Sequence, residues 1–257
     1  AGVKLSSVAS FSTHPTPSYL YVATNGNNTA GTNWVTAYPD VQTALDLAET
    51  GDTIYLAGHT FAGGIGGTVP AHPANAFLIW QNATNITIRG GYDAVAGGGS
   101  DPGTRNAVTE WKRTVGGVRV LTMSGVTNCT VEQVTIRDGA STAVGGLGVY
   151  LINCRDVTFA SCVITNNGGN LGGISGIGMY LQGSSIILTN TTITRCYSLG
   201  QTWYTYGGGV YLDSLSRMTA VRSTFAGNSM IQSTGNGSTG PAFASAGTVD
   251  LFECVVI

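Results

Sequence analysis

A six-residue phrase returns about every thirty residues along this chain, and it constrains the fold more than any other feature. Gly146-Leu147-Gly148-Val149-Tyr150-Leu151 becomes Gly176-Ile177-Gly178-Met179-Tyr180-Leu181, then Gly207-Gly208-Gly209-Val210-Tyr211-Leu212, with the tyrosines 30 and 31 positions apart. A fixed period of roughly 20–50 residues marks stacked units that contact their neighbours, rather than one globular core. Other positions keep the same beat. From Ile136 the matching residues are Ile164, Ile193, Phe225 and Val256, at steps of 28, 29, 32 and 31 residues. Seven positions earlier lie Cys129, Val157, Ile186, Met218 and Val249; five positions earlier lie Val131, Phe159, Leu188, Ala220 and Leu251. These apolar or small residues stand two apart with mostly polar residues between them, the alternation of a strand that buries one face.

Three short strands per thirty residues, with no helix between them, predict an all-β fold: a right-handed parallel β-helix, or solenoid. Its coils would lie about 4.8 Å apart along the axis, stacking Ile, Val and Tyr into ladders inside the tube. A β-sandwich also has many short strands, but nothing in it requires the same residue type at the same place in every turn.

The first part of the chain differs. Residues 1–18 are small and polar, end in the turn-prone His14-Pro15-Thr16-Pro17, and read as an arm or linker before a domain spanning 19–257. Tyr19 to Ala23 reads as a strand. Pro39 to Glu49 is the one convincing helix, with Val41, Ala44, Leu45 and Ala48 on a single apolar face. Pro39 suits a helix start and Gly51 a stop, after which Thr53-Ile54-Tyr55-Leu56 is extended again. The helix is placed to cap the first coil, whereas the chain stops in the apolar run Cys254-Val255-Val256-Ile257, an end that invites another strand or subunit. Three positions after the strand anchors, Asn167 and Asn228 suit tight bends. Gly139 and Cys196 replace them in the intervening coils and break that ladder. Longer loops are expected at 93–110, 198–206 and 230–240.

Charged residues are only 9% of the chain, against about 25% in ordinary proteins, and its 38 glycines are about twice the usual share. Polarity must come from Ser, Thr, Asn and backbone. A net charge of −2 gives no electrostatic case for nucleic acid or an anionic membrane, and no apolar run approaches the roughly 20 residues of a membrane span. The opening residues show no signal peptide, as expected of a chain from which one has been removed. Five cysteines, Cys129, Cys154, Cys162, Cys196 and Cys254, form no metal-type spacing. Their odd number argues for buried small hydrophobes over a complete disulfide framework.

These features resemble bacterial secreted right-handed β-helix proteins of the pectin-lyase-like fold, including the polymorphic outer-membrane protein type with its repeated Gly-Gly-Ala-Ile and Phe-x-x-Asn tetrapeptides. Gly208-Gly209-Val210-Tyr211 approximates the first and Phe225-Ala226-Gly227-Asn228 matches the second. Tyr21-Val22-Ala23, Asn25-Gly26-Asn27, Gly31-Thr32-Asn33-Trp34 and Gly51-Asp52-Thr53-Ile54-Tyr55-Leu56 are similar to the opening of such proteins. Asn85-Ile86-Thr87-Ile88-Arg89-Gly90-Gly91-Tyr92 resembles their strand-to-loop segment. The resemblance implies the β-helix and a secreted or cell-surface location.

Pectate lyases and polygalacturonases share the architecture, so an active site has to be sought. Glycoside hydrolysis needs two carboxylates about 5–9.5 Å apart. The acids of the repeats, Glu132, Asp138, Asp156, Asp213, Asp250 and Glu253, fall at different offsets from the anchors. Asp138 aligns with Asn166 and then Arg195, a column suited at most to a polar ligand. Arg137-Asp138 is the nearest approach to a lyase pairing, and it also reads as a solvated turn pair. His14, His59 and His72 show no metal or nucleophile spacing, and Gly97-Gly98-Gly99 lacks the Lys-Ser or Lys-Thr of a phosphate loop. The expectation is no catalytic set, no metal and no cofactor.

The ligand candidates are Trp203, Tyr204 and Tyr206, aromatics in an insertion between coils that would stack on sugar rings or else pack over the coil wall. Sequons such as Asn27-Asn28-Thr29 and Asn190-Thr191-Thr192 are expected by chance in so Asn- and Thr-rich a chain. The expected function is a non-enzymatic extracellular or cell-surface scaffold, in adhesion or self-assembly into a fibre or layer. The alternatives are a glycan-binding module and a polysaccharide lyase or hydrolase. Expected partners are further copies of the chain and surface glycans, with no nucleic acid and no membrane span.

Overall fold

The computed structural model describes residues 18–63, 76–94, 101–114, 117–140, 145–169, 175–198, 206–230 and 240–257. They wind into a parallel β-solenoid of about six turns with one short helix. Three long sheets run along the axis, of eight, six and seven strands, and a short three-stranded sheet fills a corner. In a regular coil the chain passes from the six-stranded sheet (Val149–Ile152) to the eight-stranded sheet (Val157–Ala160), then the seven-stranded sheet (Val163–Thr165) and the corner sheet (Gly168–Gly169). The next coil repeats this order one strand spacing along.

Register follows the sequence period residue for residue. Ile136, Ile164, Ile193, Phe225 and Val256 are successive partners, as are Val131, Phe159, Leu188, Ala220 and Leu251. From 131 to 225 these side chains are fully buried. Burying one such aliphatic or aromatic group stabilises by about 1.5–3 kcal/mol, and each ladder repeats that gain coil after coil. Outward positions of the eight-stranded sheet read Thr53, Thr87, Thr130, Thr158, Ile187 and Thr219. A threonine column thus supplies polarity without charge, which explains how the surface is wetted by so few ions.

The tyrosines stand on the other side of the wall from the one expected. Tyr150, Tyr180 and Tyr211 are successive partners, but they alternate with Val149 and Leu151, Met179 and Leu181, and Val210 and Leu212, which fill the tube. A period of two cannot point a residue and both its neighbours into the tube, so the tyrosines face outward, half-buried. The glycines of the same phrase have a separate cause. Gly176 adopts φ +60° at the corner, and a Cβ there would sit 2.2 Å from the Met179 carbonyl oxygen.

Corners are built by side chains that reach one coil back. Asn167 accepts from Gly139 N–H at 2.8 Å and donates to the Ile136 carbonyl at 3.3 Å; Asn228 does the same for Cys196 (3.0 Å) and Ile193 (2.9 Å). The interrupted asparagine ladder is therefore an alternation, each amide serving the small residue beneath it. At the neighbouring corner Cys162, Thr191, Ser223 and Cys254 form an inward column. Thr191 Oγ1 donates to the Phe159 carbonyl at 2.9 Å, and Cys162 Sγ approaches the Val131 carbonyl at 3.3 Å, so thiols occupy the place of hydroxyls. All five cysteines are free and none is fully exposed. Burial pushes the Cys162 thiol up to about 12 and those of Cys129 and Cys196 up to about 11, which keeps them protonated and inert.

The helix is shorter than the sequence suggested, Val41–Leu47, because Asp40 caps it, its carboxylate accepting from Thr43 N–H at 2.8 Å. Val41, Ala44 and Leu45 join the core as expected. Gln42 closes the sheet edge: its amide donates to the Ile79 carbonyl and accepts from the Ile79 N–H, both at 2.8 Å, as a neighbouring strand would. Residues 1–17 of the proposed arm lie outside the described residues. No helix among the described residues is long and apolar enough to cross a membrane.

Candidate functional site

Acidic side chains come first, because an enzyme of this shape would need them. The predicted column is real: Asp138, Asn166 and Arg195 occupy left-handed corners at φ 63°, 55° and 52°, and Asn166 donates to Asp138 at 2.6 Å. Arg137 donates to both oxygens of Glu110 at 2.8 Å and to Asp138 at 2.8 Å, with Lys112 3.8 Å from that second carboxylate. The Arg137 hydrogen bond, against the opposing effect of burial, holds the Glu110 carboxyl below its usual range. A general acid needs the opposite shift. Glu132 binds Arg89 (3.3 Å) and Arg105 (2.9 Å), Asp250 binds Arg217 (2.7 Å), and Asp213 caps a turn through Leu215 N–H and Ser216 Oγ. These carboxylates are engaged in structure. His59 Nδ1 accepts from Thr24 N–H at 3.1 Å, and burial lowers its pKa, so the ring is neutral. Among the described residues no three His, Cys, Asp or Glu side chains form a metal-type group. His14, His72 and Gly97 to Gly99 lie outside the described residues.

Among the described residues, aromatic side chains gather at two places outside the tube. On the eight-stranded sheet Tyr21, Tyr55, Tyr92 and Trp34 pack with ring centroids 4.7–5.8 Å apart and are at most 7% exposed. The Trp34 indole donates to the Pro102 carbonyl at 2.9 Å, and the Arg105 guanidinium lies 5.4 Å from the Tyr92 ring centroid. Burial first, then the neighbouring Tyr55 and Tyr92, push the Tyr21 hydroxyl up to about 12. This cluster is sealed.

The second group is open. Tyr150, Tyr180 and Tyr211 follow one another along the outside of the six-stranded sheet at 5.2 and 5.1 Å, ring planes inclined by 40° and 81°. Tyr206 extends the line, 6.3 Å from Tyr211, and is exposed. The Tyr150 hydroxyl is hydrogen-bonded to the Gln182 side-chain amide oxygen. Beside Tyr206 and Tyr211 lies an open cavity of about 440 Å³, also lined by Gly240, Phe243 and Ser245, within the usual range of ligand sites. At the far end the Arg119 guanidinium lies over the Tyr150 ring, 4.3 Å from its centroid.

Of the three aromatics singled out in the sequence, Tyr206 joins this stripe, while Trp203 and Tyr204 lie outside the described residues. The stripe itself was missed, although the alternation Val149-Tyr150-Leu151 carried its signal. Arg119 belongs to no repeated pattern and had none.

No curated protein matches the chain. Among solved structures, it is similar to a pectin methylesterase in complex with a hexasaccharide (10% identity over 92% of this chain and 80% of that one, TM-score 0.38). A pectate lyase matches at 10% identity over 93% and 76% (TM-score 0.33). The deglycosylated pectin methylesterase of Aspergillus niger matches at 12% over 95% and 87% (TM-score 0.33). Likenesses this loose bear on neither fold nor activity. A family model described as the right-handed β-helix region matches residues 116–244, just over half of the chain, and the chain therefore belongs to the right-handed β-helix family.

Proposed function

We propose that this chain is a non-catalytic, extracellular or cell-surface β-helix scaffold that adheres to carbohydrate through its tyrosine stripe. The supporting observation is the open line Tyr150, Tyr180, Tyr211 and Tyr206 leading into the cavity beside Phe243. Phenol rings present an apolar face to the C–H side of a sugar and a hydroxyl to its edge, and the in-register coils repeat them along the axis. Function is read from this site rather than from the fold, which hosts many activities. The engaged carboxylates favour a structural role for the charged face.

Retention on a glycan array tests the reading. Wild-type protein should be retained, and Tyr180→Ala and Tyr211→Ala should each weaken retention several-fold; a wild-type protein that holds no glycan sinks it. Turnover of a polysaccharide, lost in Asp138→Asn, would replace it with the enzyme reading. Assembly into a fibre or layer is a separate part of the proposal, decided by particle mass in solution: monomers at every concentration discard it.

A further inference from the structure

Two charged side chains among the described residues are almost wholly buried, and they are treated differently. Asp52, 5% exposed, accepts hydrogen bonds from Ser18 N–H, Ser18 Oγ and Glu49 N–H at 2.8–2.9 Å. Arg119, 4% exposed, makes one hydrogen bond, from Nε to the Gly145 carbonyl at 2.8 Å. No carboxylate among the described residues pairs with it, and its only ring contact is the face of Tyr150. A buried charge is expensive unless paired and hydrogen-bonded. The terminal nitrogens of Arg119 donate to no described residue, yet they are not among the sealed, unsatisfied atoms, which are Trp80 Nε1, Arg89 Nε, Trp111 Nε1 and Thr122 Oγ1. They therefore keep an opening to the surface and hold unused donors in a fork suited to one planar anion.

The position of this fork gives it a use. It stands at the head of the tyrosine stripe, fixed by the Gly145 carbonyl on one side and the Tyr150 ring on the other. Gly145 has no side chain to intrude: a Cβ there would sit 2.0 Å from the Ser175 carbonyl oxygen and 3.1 Å from the Tyr180 ring. A saccharide lying along Tyr150, Tyr180 and Tyr211 would bring its end residue to the guanidinium. Resting on the carbohydrate-binding reading above, we propose that Arg119 is the anion subsite of the stripe, so that the glycan it selects carries a carboxylate on the sugar nearest Tyr150.

Paired probes separate this proposal from the reading beneath it. An array bearing carboxylated oligosaccharides and the same oligosaccharides with their carboxyl groups reduced to alcohols should retain wild-type protein mainly on the acidic members. In solution the free acids should compete for the stripe and the reduced forms should compete poorly, a measurement that needs no variant. Arg119→Gln should lose about tenfold or more in affinity for the acidic members, as expected when a charge-assisted hydrogen bond is removed, and Arg119→Lys should recover only part of it. Tyr180→Ala should weaken acidic and neutral binding alike. Equal binding of acidic and reduced partners, or an unchanged Arg119→Gln, overturns the anion subsite and leaves the stripe standing. Binding to neither class overturns both.

Discussion

The cluster around Tyr21 and the stripe from Tyr150 to Tyr206 use the same kind of residue on the outside of the same tube, yet one is closed and the other open. In the closed one, residues from three turns and the 101–105 segment fold over the rings, and Trp34 spends its only polar atom on the Pro102 carbonyl. In the open one, identical positions of successive coils line up and, among the described residues, little folds over them. Closure comes from residues distant in sequence; the open line comes from repetition. The first fixes the N-terminal turns, which are longer in sequence, while the second leaves a surface.

Substitution at Trp34 separates the two most widely. Trp34→Ala removes a buried ring and its hydrogen bond, and should lower unfolding stability by about 3–5 kcal/mol, read from the urea midpoint. Tyr180→Ala, which removes a half-buried ring, should cost only about 1 kcal/mol while reducing carbohydrate retention. An equal cost for both would make the stripe a second seal and erase the contrast.

Titration sharpens it further. The folded chain raises the Tyr21 hydroxyl from 10.0 to about 12, favouring the neutral phenol. That stability is intact below pH 10 and lost as pH rises through the folded value. Alkaline unfolding should therefore begin at the closed cluster, and Tyr21→Phe should delay it; no delay would mean the cluster does not limit alkaline stability. The smallest effect lies on the acid side. His59 has its pKa lowered by burial, and its Nδ1 accepts from the backbone next to that cluster. Its contribution is present above pH 6.5 and fades as pH falls through the lowered value, so His59→Gln should flatten the melting temperature between pH 7 and 5.

The inner ladders were legible in the sequence because burial of alternate residues and a thirty-residue beat together fix a register, and Ile136, Ile164, Ile193 and Phe225 fell where that register puts them. The tyrosines were misplaced because their recurrence was read without their parity. Asn167 and Asn228 looked like a failed ladder because the partner of each amide is backbone, which leaves no mark in sequence. The closed cluster was invisible: Tyr21, Trp34, Tyr55 and Tyr92 meet only after winding. Arg119 looks like any surface arginine until Gly145 and Tyr150 are placed beside it.

In-register pairing of Tyr150, Tyr180 and Tyr211 makes the solenoid a ruler. Each further turn carrying the phrase would set one more ring on the same line at the spacing of a single strand, so contact valency would grow with coil number while the individual contact stays unchanged. Avidity of such a surface is set by how many rings a long polymer spans at once, and length alone could then tune grip.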